Sequence, residues 1–221
     1  MREYLQEVTV IDGVQYHLTS DGWVVEDCVD KTLTHVIIRD EIDWKLVIGI
    51  DDSAFFMHPT IEYVEIPDTV EVIDKDAFWG CPNLKAVVCN GEYTCIEPAA
   101  FEGCLSLISF TAKGDILACK NAFKDCQKLQ HLDCVISGIL PYAFANCSDL
   151  KQPLTFWEKI FHFHMNAFEG SGVSELRFLG GIPAIINDDD IDLAKFTWCG
   201  KSDSSITELA YLGINVQLTE P

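Results

Sequence analysis

The sequence predicts a repeat solenoid built mainly from parallel β-strands and turns, and three observations lead to this prediction. The dipeptide Ala-Phe recurs at residues 54, 77, 100, 122, 143 and 167, at intervals of 23, 23, 22, 21 and 24 residues. A cysteine follows the alanine by four residues in four copies, and Ile or Leu follows it by seven residues in five copies. One unit of this length cannot bury its apolar side alone, so successive units are expected to stack around a continuous core.

Residues 1–32 are predicted to form an N-terminal β-hairpin cap. Within residues 8–25 two strands are expected, joined through residues 19–22, in which Asp21-Gly22 is a turn signal. Tyr16 and Trp23 should cover the end of the first coil. The first repeat is longer than the others, so residues 40–45 are expected to form a bulging loop.

Residues 33–180 are predicted to form the repeat array, with short helical turns at each Ala-Phe-x-x-Cys. The alanine should lie where neighbouring backbones are close, the phenylalanine should fill the interior, and the cysteine should occupy a small buried slot. The repeat places a cysteine at residues 81, 104, 126 and 147, one coil apart. Their spacing is within the range for disulfides, but each position is explained by packing, so we expect free thiols.

Residues 181–221 lack the Ala-Phe mark and are predicted to form a C-terminal cap that contains a strand. The segment 206–211 fits either a further strand or a short helix. The acidic residues 188–190 are expected in a solvated loop.

The segments VEIPDTVEVIDKDAF (64–78) and DAFWGCPNLKAV (76–87) resemble the BspA-type, or Treponema pallidum-type, leucine-rich repeat. Residues 8–25 resemble the N-terminal hairpin cap of such proteins. The resemblance implies a right-handed leucine-rich repeat superhelix without catalytic activity. It also implies recognition of a macromolecule, as in surface or secreted adhesion proteins of host-associated bacteria. The ligand would be a protein, for example a host matrix protein, or a glycan.

The charge balance narrows the classes of partner. The chain has 15 Lys and Arg against 35 Asp and Glu, a net charge of -20. This acidic charge disfavours nucleic acid as a partner, and no apolar run reaches the length needed to insert into a membrane. The first residues show no apolar export segment, and the many expected free cysteines suit the cytoplasm. A cytoplasmic interaction scaffold is therefore the alternative to a surface or secreted binder.

The sequence contains few patterns that are typical of catalytic or metal sites. The sequence contains no Gly-x-Ser-x-Gly, no His-Glu-x-x-His and no phosphate-binding glycine loop, so we expect neither enzyme activity nor a cofactor. His162 and His164 could share one strand face but lack a third ligand, and residues 188–192 lack the spacing of a calcium loop, so no metal site is predicted. A metal-dependent or thiol enzyme on the scaffold remains a third hypothesis.

Strand alternation predicts which side chains point outward and form a binding face. Leu154 and Phe156 are predicted to point outward, in an aromatic-rich segment that also contains Trp157 and Phe161. For Trp157 and Phe161, exposure as a protein anchor and burial under the coil edge are both open. The candidate binding residues are Tyr63, Glu65, Val88, Thr111, His131, Asp133, Gln152, Leu154, Phe156, Trp157 and Arg177.

Overall fold

The chain forms a β-solenoid of about seven turns with almost no helix, which confirms the predicted fold class. The computed structural model describes residues 7–156, 160 and 162–178, together with the strand backbone at 185–186, 197–200 and 215–218. The strands are β1 Val8–Ile11, β2 Val14–Leu18, β3 Trp23–Cys28, β4 His35–Ile37, β5 Glu41–Ile42, β6 Lys45–Ile50, β7 Tyr63–Ile66, β8 Val72–Ile73, β9 Ala86–Cys89, β10 Tyr93–Ile96, β11 Ser109–Ala118, β12 His131–Ile139, β13 Leu154–Phe156, β14 His162–His164, β15 Glu175–Phe178, β16 Ile185–Ile186, β17 Thr197–Gly200 and β18 Asn215–Leu218. A 3-10 helix spans Met165–Phe168.

Each coil contributes to two parallel strand ladders. The first ladder runs through β4, β7, β9 and the N-terminal halves of β11 and β12, and β13, β15, β17 and β18 pair in the same parallel manner. The second ladder runs through β3, β6, β8, the strand β10, the C-terminal halves of β11 and β12, then β14 and β16. The register shifts in β11 between Thr111 and Asp115, where the strand passes from one ladder to the other.

Gly114 lies at this bend of β11 because the backbone of the preceding coil is too close for a side chain. A Cβ added there would lie 2.1 Å from the Glu92 carbonyl oxygen. Such a contact is far inside van der Waals distance, so the approach of the two coils requires glycine.

The third side of each coil is the Ala-Phe turn. The backbone N–H of Phe78 donates to the carbonyl of Ala100 at 2.7 Å, and the same bond joins Phe101 to Ala122 at 2.8 Å. Residues just before the alanine adopt left-handed φ angles, for example 55° at Asp76. The small alanine therefore allows successive backbones to hydrogen-bond along the solenoid.

The phenylalanines of these turns stack in one row along the axis, as predicted. Their ring planes are within 7° of parallel, with centroids 4.6 to 6.0 Å apart. All are buried, and the row consists of Phe55, Phe78, Phe101, Phe123, Phe144 and Phe168.

The repeat cysteines are buried free thiols, and each donates a hydrogen bond to the phenylalanine carbonyl of the preceding coil. The Cys104 Sγ lies 3.1 Å from the Phe78 oxygen, and the Cys126 Sγ lies 3.1 Å from the Phe101 oxygen. Burial raises the pKa of the Cys126 thiol well above its usual value. These thiols therefore link neighbouring coils and are protected from reaction.

The N-terminal region differs from the prediction in strand number. It forms three antiparallel strands, because a second turn at Asp12-Gly13, with φ of 50° and 81°, joins β1 to β2. Tyr16 and Trp23 are each 1% exposed and close the first coil as expected. The predicted residues 188–192 and 206–211 lie outside the described part of the chain.

Candidate binding face

The first ladder carries two aligned rows of outward side chains. Register places His35, Tyr63, Ala86, Ser109 and His131 in one row. It places Ile37, Glu65, Val88, Thr111 and Asp133 in the other. Alternate residues of these strands, such as Val64 and Val87, are fully buried, so the pleat separates core from surface.

Six of the predicted binding residues come together in these rows. Tyr63, Glu65, Val88 and Thr111 are half-buried by their neighbours, whereas His131 and Asp133 are exposed. Desolvation together with the adjacent Glu65 carboxylate raises the pKa of Tyr63. The six residues form one continuous surface across four coils. We call the two complete rows, which also include the residues of β4, the strand face.

Two other predicted residues lie further along the solenoid. The Gln152 side chain is hydrogen-bonded to the backbone of β12. Its Oε1 accepts from the Leu132 backbone N–H at 3.3 Å, and its Nε2 donates to the Leu132 carbonyl at 2.7 Å. Arg177 is exposed on β15 and forms an ion pair with Glu175. Trp157 lies outside the described residues.

The predicted exposure of Leu154 and Phe156 is wrong. Leu154 is 3% exposed and Phe156 is 0% exposed. In the four preceding repeats, the first inward strand residue comes three positions after the Ile or Leu that follows the Ala-Phe turn, as from Leu129 to Leu132. In this repeat the corresponding residues are Leu150 and Leu154, which are four positions apart. The extra residue shifts the strand by one position, and a one-residue shift exchanges its two faces.

An acidic groove borders the strand face where its strands end. It has a volume of about 420 Å³, and its walls include Ile37, Arg39, Glu65, Asp68 and Asn90. The Glu65 carboxylate accepts hydrogen bonds from the Asn90 amide at 3.3 Å and from the Tyr63 hydroxyl at 3.4 Å. These contacts fix a carboxylate beside Ile37, which is 67% exposed.

A second groove continues from the first through the shared residue Asp68. Its volume is about 450 Å³, and its other lining residues are Glu71, Glu92, Tyr93 and Lys113. Three carboxylates face one ammonium group there, so this groove is acidic as well. Asp68 and Glu92 are both exposed.

A third feature near the grooves was missed from the sequence. Residues 40–45, expected to be a loop, form a hairpin in which β5 pairs antiparallel with β6. Asp43 and Trp44 occupy its turn with φ of 49° and 64°, and the Trp44 side chain is 92% exposed. The hairpin starts at Asp40, which lines the first groove. A tryptophan surrounded by polar residues in the longest repeat was the signal available in the sequence.

His162 and His164 flank the buried Phe163, as the alternation predicted, and His162 is exposed. In the part of the chain that the structure describes, they do not belong to a group of three potential metal ligands. The group that does occur there consists of Cys95, Glu97 and Cys119. No helix among the described residues is long and apolar enough to cross a membrane.

Comparison with models of known protein families identifies the family of this chain. A model described as the BspA type leucine-rich repeat region matches six copies over residues 48–178. The chain therefore belongs to the BspA-type leucine-rich repeat family. Leucine-rich repeat proteins generally bind proteins, and solenoids of this family are typically non-catalytic.

Solved structures share the fold at low sequence identity. A leucine-rich cell surface protein of Faecalibacterium prausnitzii is 20% identical with a TM-score of 0.64, over 90% of this chain and 55% of that one. The Treponema pallidum leucine-rich repeat protein is 18% identical with a TM-score of 0.58, over 96% and 98%. A leucine-rich repeat protein of Eubacterium ventriosum is 19% identical with a TM-score of 0.53, over 76% and 51%.

This chain therefore spans about half the length of the F. prausnitzii and E. ventriosum proteins. No curated protein matches the sequence.

Proposed function

We propose that this protein is a non-catalytic binder of a protein ligand, and that the ligand lies across the strand face with basic side chains in the two acidic grooves. The observation that carries the proposal is the continuity of the strand face with these grooves. Ile37 and Glu65 belong both to the outward rows and to the groove wall. A ligand on the strands would thus contact apolar and acidic groups together.

The dimensions suit an extended or flat protein surface. Five ladder strands spaced about 4.8 Å apart span roughly 19 Å, the length of about six residues of extended chain. Small or short side chains at Ala86, Ser109 and Thr111 leave the middle of this surface open. The larger residues His35 and His131 lie at its two sides.

Charge supports a basic partner. The groove residues Asp40, Glu65, Asp68, Glu71 and Glu92 outnumber Arg39 and Lys113. Arg39 is itself bound to Asp12 through a 2.6 Å contact between Nη2 and Oδ2. With a net charge of -20, the protein should attract a cationic surface and should do so less in high salt.

A surface or secreted adhesion role and a cytoplasmic scaffold differ in location. The F. prausnitzii protein is described as a cell surface protein, and we propose the same location here. Protease treatment of intact cells tests it: loss of the protein from intact cells supports surface display, and retention until lysis supports the scaffold.

The ligand site is tested with a charge-reversal pair and a matched control. Asp68→Lys/Glu92→Lys reverses two exposed groove carboxylates, and Asp21→Lys/Asp52→Lys makes the same change at exposed sites outside both grooves. Each protein is immobilised and exposed to a source-cell lysate and to purified matrix proteins. We expect the groove pair to lose bound proteins that the wild type and the control pair retain.

Two outcomes of this capture experiment would contradict the proposal. Equal capture by the groove pair and the wild type, with both folded by circular dichroism, would contradict a ligand site in the grooves. Capture of glycans without proteins on the same resin would contradict a protein ligand.

A further inference from the structure

Cys95 and Cys119 lie outside the Ala-Phe-x-x-Cys position of the repeat. The buried thiols at Cys104 and Cys126 occupy a position that every central repeat fills with cysteine, and packing accounts for them. Cys95 instead pairs in register with Val72 on one side and Leu117 on the other. The fold at this position therefore accepts an ordinary apolar side chain and does not require sulfur.

The ladder register brings these off-repeat thiols together with a carboxylate. Strands β10 and β11 pair Ile96 with Ala118, so Glu97 and Cys119 follow side by side in adjacent coils. Cys95 precedes Glu97 by two residues and shares its outward face. The Cys95 Sγ lies 3.9 Å from the Cys119 Sγ and 3.3 Å from the Glu97 Oε1, and the three ligand atoms lie within 4.8 Å of one another.

The two separations from the Cys95 sulfur match the edges of a zinc coordination tetrahedron. Two thiolate sulfurs about 2.3 Å from a tetrahedral zinc ion lie about 3.8 Å apart, and a sulfur and a carboxylate oxygen lie about 3.6 Å apart. The observed distances of 3.9 and 3.3 Å are within about 0.3 Å of these values. Side-chain rotation alone could therefore bring the three atoms to a common ion.

The cluster is reachable from solvent. Cys95 and Glu97 are partly exposed, and Cys119 is 7% exposed. Tyr93, two residues before Cys95 on the same face of β10, is 47% exposed and lines the second acidic groove. An ion bound here would lie at the edge of that groove with one coordination position open.

We propose that Cys95, Glu97 and Cys119 bind a zinc ion that bridges two successive coils. Two thiolates and a carboxylate suit zinc, since soft sulfur ligands disfavour magnesium and calcium. Binding releases the thiol protons to solvent, and a water molecule supplies the fourth ligand. The cysteines remain reduced throughout, so no oxidant takes part.

Cobalt and zinc titrations of the reduced, metal-free full chain test the site. Cobalt bound by thiolates gives charge-transfer absorption in the near ultraviolet, and zinc should displace it at one equivalent. Cys95→Ser and Cys119→Ser should each weaken this band and lower zinc affinity at least about tenfold, and the double variant should abolish the band, because no thiolate then remains at the site. Cys147→Ser is the matched control, because Ser171 occupies the corresponding position in the next repeat, and it should bind like the wild type.

Thiol mapping in the unmodified protein gives a second readout that does not depend on variant folding. Zinc should slow alkylation of Cys95 and Cys119 and leave the other thiols unchanged. Equal alkylation with and without zinc, or wild-type zinc binding by the Cys95→Ser/Cys119→Ser protein, would overturn the site. Neither result bears on the protein-ligand proposal, which is tested through Asp68 and Glu92.

Discussion

Removal of the Phe101 ring from the middle of the phenylalanine row should cost a large part of the folding free energy. Phe101 is fully buried, and its ring stacks on Phe78 at 5.1 Å and Phe123 at 5.2 Å and meets Phe110 edge-on at 5.6 Å. Truncation of a buried Phe to Ala costs about 3–5 kcal/mol in total, and the loss of aromatic pairs worth about 0.5–1.5 kcal/mol each is part of that cost. Because the Phe101 ring packs against three others, we expect Phe101→Ala to cost about 4–5 kcal/mol, the upper part of that range.

Urea unfolding followed by circular dichroism measures this loss, with Phe56→Ala as the control. Phe56 is 44% exposed and contacts one ring, that of Trp79, at 5.0 Å, so its truncation should cost about 1 kcal/mol or less. If Phe101→Ala does not fold, Phe101→Leu keeps more of the buried volume and should give a smaller, measurable loss. A Phe101→Ala protein as stable as Phe56→Ala would refute the stabilisation assigned to the stacked row.

Two further predictions concern thiol reactivity and pH. In the folded, metal-free protein, a pulse of alkylating reagent should modify the partly exposed Cys95 at least about 100-fold faster than the buried Cys126, because the reagent must reach the sulfur. Peptide mass spectrometry measures both rates, and equal rates would contradict the packing of the cysteine row. Burial lowers the pKa of His58, whose Nε2 donates to the Asp30 carbonyl at 3.2 Å. Because the unfolded chain then binds more protons than the folded one, the free energy of unfolding should fall as the pH drops below about 6.5. His58→Gln should flatten the dependence of the urea midpoint between pH 7 and 5, and an unchanged slope would exclude His58 as its source.

Much of the interior could be predicted because the same types of buried residue recur at the same positions of successive repeats. Ala77, Phe78 and Cys81 have counterparts at the same positions of the next repeat. When the coils stack, residues at the same position of successive repeats come into contact. The row of rings and the row of thiol donors are direct consequences of that period.

Local irregularities were harder to predict. The strand ending at Phe156 was assigned the wrong face because the extra residue after Leu150 changes the phase without changing the composition. The Trp44 hairpin was taken as a loop because β5 has only two residues and charged residues flank Trp44. Both errors fall where a repeat departs from the common length, so the period gives no information there.

The sequence by itself determined that the chain coils with a period of 21 to 24 residues and which side chains fill the centre, because apolar spacing acts within one repeat. Only the tertiary structure decided which outward residues meet across coils. The acidic grooves join residues of different repeats, and Glu97 meets Cys119 through the pairing of β10 with β11. Such contacts depend on the register between coils, which the length of every intervening turn sets together.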